Sequence, residues 1–168
     1  MERPKTAHVA AGSVTDAWEK VAEAFIGAAR VALREMAVTE IDIQSVSPGT
    51  TRLAPDTIAA AVELRPDQDG LFVVEFPGST AAALARRMLT GVTNDLDDGL
   101  IRDCMGEIAN VIAGQVKALT ARTDAPFSFK LPPRVTDTGQ VRSSGLDCMS
   151  IHATTDCGDF ALLLFLRP

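Results

Sequence analysis

The chain has no tyrosine, a single tryptophan and only 5% aromatic residues, and no basic cluster is interleaved with them. Together with a net charge of −6, this argues against an electrostatic nucleic-acid footprint. Histidine is equally scarce: His8 and His152 are too few and too far apart to make a metal site. Cysteine is limited to Cys104, Cys148 and Cys157, with no CxxC pair and an odd count, which excludes a simple disulfide framework. The longest strongly apolar run, Ala161 to Leu166, is far too short to span a bilayer. The opening MERPKTAHVAAGS lacks the apolar core of a signal peptide, so a cytoplasmic protein is expected, without nucleic-acid or membrane partners.

What is present suits one domain. A length of 168 residues, 46% hydrophobic and 23% charged, allows a single sizeable core. Residues 1–12 read as a mobile leader and 13–168 as the domain. Trp18, Val21, Phe25, Ala29, Leu33 and Met36 recur at helical spacing, which predicts a helix from Asp16 to about Ala37 with Ser13, Thr15 or Asp16 as its cap. A strand from Glu40 to Val46 ends at Pro48-Gly49. Strands at Thr57–Leu64 and Leu71–Phe76 flank RPDQDG, which carries hairpin chemistry. Ser79 or Thr80 then caps a short helix, Ala81 to Leu89, stopped by Gly91.

The acidic NDLDDG leads into a second long helix, to about Ala121, because carboxylates favour a helix N-terminus. It is no calcium loop, since Leu96 stands where an oxygen ligand is needed. A strand at Phe127–Leu131 is expected to break at Pro132-Pro133. After a polar loop come strands at Leu146–Thr154 and Asp159–Leu166, with Cys148 and Cys157 available to face each other across that hairpin. Each half thus reads as a long helix, a strand ending at proline, and a hairpin whose last strand follows glycine. This predicts a two-layer α+β domain built by internal duplication, with helices covering one face of a largely antiparallel sheet.

The helical segment DCMGEIANVIAGQVKALT concentrates the functional signal. Asp103, Glu107 and Asn110, at i, i+4 and i+7, fall within an arc of roughly 60°. Gly114 and Lys117 continue that stripe, while Cys104, Met105, Ile108, Val111, Ile112, Val116 and Leu119 lie opposite. A polar stripe is usually only a solvated face. Two features argue for more: Gly106 and Gly114 each cost a helix roughly 1 kcal/mol relative to alanine, and asparagine is a poor helix former. With Ala113, these small residues suggest a surface that another molecule approaches closely.

The same residues resemble the signature helix of the CheX branch of the CheC/CheX/FliY chemotaxis phosphatases. That family's pattern is an acidic or serine residue, Glu four positions on, Asn three further, and a proline 23 residues later. Asp103, Glu107, Asn110 and Pro133 match it, although Pro132 follows Leu131 as in the family's Leu-Pro pair. GEIANVIAG and FKLPPRV are also similar. The resemblance implies hydrolysis of the phospho-aspartate of a CheY-like response regulator. It casts Asn110 as the group that orients water and Glu107 as the partner of the regulator's lysine. Asp103, Gly106, Ala113 and Gly114 would then contact the partner. No metal or cofactor is expected on this chain, because the Mg2+ belongs to the regulator's phosphorylation site.

Relatives such as CheC carry an active helix in each half. Counting back from Pro48, the first helix offers Ala22 and Phe25, or in the alternative register Glu23 and Ile26, and neither supplies an asparagine. One active helix per chain is the CheX arrangement. Family members form dimers, often by joining sheet edges, and the final strand FALLLFLRP is a candidate edge or else a central strand. The main rival is a non-catalytic module that binds a regulator or dimerises. A small-molecule hydrolase using Asp103 and Glu107 as a carboxylate pair would need a cleft.

Overall fold

A computed structural model describes residues 11–50, 55–65, 69–137 and 145–167. Three helices, α1 (Ala11–Ala37), α2 (Gly78–Met88) and α3 (Asp98–Thr120), accompany six strands. The strands are β1 (Asp42–Pro48), β2 (Thr57–Leu64), β3 (Gly70–Pro77), β4 (Phe129–Asp137), β5 (Asp147–Thr155) and β6 (Gly158–Leu166). They form one sheet in the order β1-β5-β6-β3-β2-β4, and every neighbouring pair is antiparallel. Exchanging β1 with β4, β2 with β5 and β3 with β6 turns this order into its own reverse. The two halves are therefore topologically equivalent, as the repeated element order predicts.

Alternation along the strands sorts the core. Ala60, Val74, Leu162 and Ile151 are matched across β2, β3, β6 and β5, and all join the cluster that includes the helices. The adjacent row, Ala61, Val73 and Leu163, belongs to a second cluster with Ala59, Leu71, Ala161 and Phe165, which forms the other face of the sheet. Glu75 lies on that second face between Ala59 and Ala161, 3% exposed, with no hydrogen-bond partner for its Oε2. On the helical side, Phe25 of α1 meets Phe72, Phe127 and Phe129 edge-on, with centroids 5.1, 5.6 and 6.4 Å away.

Several expectations need correction. α1 starts by Ala11 and runs through Ser13, Thr15 and Asp16, so none of the three caps it; the rest of the expected leader, residues 1–10, lies outside the described residues. α2 begins at Gly78, which places Ser79 and Thr80 inside the helix, and its N-cap Pro77 makes no side-chain cap. β4 does not break at Pro132-Pro133. It is an edge strand, where missing N–H groups are tolerated, and Leu131, Pro132 and Pro133 bulge opposite the single residue Val62. The Leu131–Pro132 peptide is cis. Of the two places left open for FALLLFLRP, edge or central strand, the second holds, since β6 lies between β5 and β3. Cys148 pairs with Phe165 while Cys157 sits in the turn at the far end of the same hairpin, and all three cysteines are free.

That turn is fastened to the helices. The Asp156 carboxylate accepts from the Arg87 guanidinium at 3.0 and 2.7 Å and from the Thr39 hydroxyl. A Cβ at Gly158, where φ is +127°, would collide with the Thr80 hydroxyl, which is why the turn and α2 approach so closely there.

Candidate functional site

Asp97 starts α3 by accepting the Leu100 N–H at 2.8 Å, and Asp98 adds charge in the first turn, as the acidic run predicts. Cys104, Met105, Ile108, Ala109, Ile112 and Val116 are buried beneath the helix. Cys104 is the small core residue expected: burial, then the nearby Asp103 and Glu107 carboxylates, hold its thiol above the usual range. Leu119, expected opposite the stripe, is instead 55% exposed at the C-terminal end of the helix.

The stripe is present and open. Asp103, Glu107, Gly114 and Lys117 are exposed, and Asn110 is half-buried. Ala113 departs from expectation: at 1% exposure it is a core residue, unable to touch a partner. Gly106 departs as well. A Cβ there would lie 3.1 Å from Val135 Cγ2, so its close neighbour is this chain's own β4. Gly114 has nothing within 4 Å of a Cβ position and faces outward. Among the described residues no group of three His, Cys, Asp or Glu side chains is placed to hold a metal ion.

Three ties fix α3 against β4 and the segment that leads into it. Arg102 Nη2 donates to Asp137 Oδ1 at 2.7 Å, Gly106 abuts Val135, and the Phe127 N–H donates to Thr120 Oγ1 at 3.0 Å. Along β2, Asp137 stands opposite Ile58 and Val135 opposite Ala60. From Gly106 to Asn110 the helix advances about 6 Å. From Ala60 to Val62 the sheet advances about 6.6 Å. The Leu131–Pro133 bulge, opposite Val62, is consequently level with Asn110. At 100° per residue Asn110 lies only about 40° round the helix from Gly106, on the β4 side, and Glu107 about 100° round. Spacing on the helix alone reveals neither Arg102 nor the bulge as neighbours of the stripe. The one available signal was the fixed count from Asn110 to Pro133.

Comparison with protein families matches residues 58–154, more than half of the chain, to Chemotaxis phosphatase CheX. The chain belongs to the CheX family. Its fold is shared with solved CheX proteins. The chemotaxis protein CheX from Desulfovibrio desulfuricans is 22% identical, with a TM-score of 0.75 over 88% of this chain and 99% of that one. CheX from Vibrio vulnificus is 19% identical, with a TM-score of 0.72 over 88% and 99%. A chain of the CheX–CheY–BeF3–Mg2+ complex from Borrelia burgdorferi is 18% identical, with a TM-score of 0.68 over 88% and 98%. Comparison with curated proteins gives no match. The CheX match covers all of α3 and β4, so the stripe and the bulge both fall inside the family's own region.

Proposed function

We propose that this CheX-family chain hydrolyses the phospho-aspartate of a CheY-like receiver domain, with Asn110 and Glu107 inserted from α3. The observation that carries this reading is an open carboxylate–carboxamide pair, one turn apart, on a helix whose other side is locked into the core. A convex, exposed helix face suits entry into a partner's pocket and does not enclose a small molecule. The neighbour solved with CheY, BeF3 and Mg2+ adds support for the class of partner.

An acyl phosphate is intrinsically labile. What it lacks is a water held in line with phosphorus. The Asn110 carboxamide accepts and donates, does not titrate, and brings no charge to repel the phosphoryl oxygens. Its half-buried position beside β4 restricts its rotamers, which favours positioning over reach. Glu107, exposed one turn earlier, pairs with a lysine of the receiver and sets the docking register. Asp103 extends the acidic edge by another turn. Any Mg2+ is the receiver's, bound at the phosphorylated aspartate.

The test is phosphate release from an acetyl-phosphate-loaded CheY-like receiver. Asn110→Ala is expected to lower turnover on the order of 10²-fold or more while leaving the thermal midpoint unchanged, as loss of positioning does. Equal turnover by variant and wild type removes Asn110 from the mechanism. Binding of the receiver without acceleration by the wild type makes the chain a docking module instead.

A further inference from the structure

We infer that the bare helix backbone at Gly114 is the seat for a main-chain segment bordering the phosphorylation site of the same receiver, and that it selects receivers able to approach that closely. This rests on the reading above and deepens it, by naming the part of the partner that meets α3 beyond Asn110. Gly114 stands four residues past Asn110, about 6 Å along the helix and about 40° round it. It is exposed, as are Lys117 and Ala118 on the following turn. The Asn110 side chain is short, so a phosphoryl group served by it has to come near the helix. The main chain around that group must then come down on the next turn.

The fold itself supplies no reason for a glycine at this position. Among the ten glycines whose surroundings are described, five have a positive φ, where a side chain is strained. Four others have an atom of this chain within 4 Å of the place a Cβ would take. Gly114 alone has neither, since its φ is not positive and the space beside it is open. It nevertheless weakens a helix that alanine would strengthen. What a missing Cβ admits is the close approach of another backbone. A flexible side chain of the partner could bend past a methyl group, but a segment of main chain could not. Glu107 then guides register through charge, and Gly114 discriminates by shape among receivers that all carry the same phosphorylation chemistry.

The experiment uses the full chain and the host's CheY-like receiver that binds it most tightly when loaded with beryllofluoride and Mg2+. Gly114→Ala and Gly114→Leu are compared with wild type for thermal midpoint, for affinity toward that loaded receiver, and for turnover of the acetyl-phosphate-loaded form. Both variants are expected to melt above wild type, while affinity falls about 5-fold with alanine and about 50-fold with leucine. With leucine kcat falls as well, because the carboxamide is held away from phosphorus. Stability that rises as binding falls is a pattern that no packing role within the chain produces. Alanine binding within twofold of wild type overturns the proposal, because a methyl group then fits under the partner. A midpoint lowered by alanine overturns it too, since the fold would then need the glycine. Size-graded loss of binding in a chain that hydrolyses nothing upholds the seat and removes only the phosphatase reading.

Discussion

Val38 closes α1 with a φ of +49°, a left-handed conformation that β-branched residues seldom adopt, and its side chain is 83% exposed. The Thr39 N–H turns back to the Leu33 carbonyl at 3.3 Å, so the helix ends in the kind of reversal that glycine usually serves. Forcing valine into this region costs of order 1–3 kcal/mol, and almost nothing is recovered by burial. Val38→Gly is expected to stabilise the protein by about 1 kcal/mol after the extra chain entropy of glycine is subtracted. A denaturation midpoint equal to or below wild type would show that the valine is not strained. The Val38 carbonyl accepts from Arg87 Nη1 at 3.4 Å, a backbone contact that glycine retains.

Among the elements, α3 contains two glycines with opposite surroundings. At Gly114 an added methyl meets open space, so Gly114→Ala is expected to add about 1 kcal/mol of helix stability. At Gly106 the same methyl sits 3.1 Å from Val135 Cγ2, and Gly106→Ala is expected to gain less, or to lose stability as α3 is pushed off β4. Urea midpoints of the two variants, measured side by side, check the difference; equal gains would mean that α3 and β4 are not in firm contact. This contrast also marks where legibility ended. The periodicity of α3, its acidic start and its polar stripe were all readable, because each depends on residues within a few turns of one another. The β2–β3 hairpin was readable for the same reason. The border of the stripe was not: Ala113 lies just past Gly106, and only tertiary packing decides that it is buried. Nor was the continuity of β4 through two prolines, since tolerance for them depends on the edge position that β2 alone confers. The interior place of β6 follows from long-range pairing with β3 and β5, which no local pattern encodes.

For the molecule as a whole, Glu75 couples folding to pH. Burial within the second sheet face raises its carboxyl from 4.5 to about 7. The folded state thus holds the proton more tightly than the unfolded chain. The stabilisation is fully present below about pH 4.5 and is lost as pH rises through 7. Glu40 and Asp156 are shifted the other way, Glu40 by its hydrogen bonds from Arg34 and Asp156 by those from Arg87, so their contributions are lost on acidification below the ordinary carboxylate range. The two windows do not overlap. Wild type is expected to lose stability between about pH 5 and 8, and Glu75→Gln to flatten that slope, read from thermal midpoints across the range. A wild-type curve already flat there would mean that the carboxyl is not desolvated.

The exchange symmetry of the sheet has a historical corollary. Counted back from Pro48 as Asn110 is counted from Pro133, the mate of the carboxamide is Phe25, and that ring is the hub joining Phe72, Phe127 and Phe129. Of its contacts, Phe129 begins β4 and Phe127 lies two residues before it, ahead of the proline bulge. The first half's counterpart of the stripe is thus a brace for the second half. An asparagine at 25 would strand an amide among phenyl rings and loosen the strand beside α3, so the two halves have become unlike parts of one core.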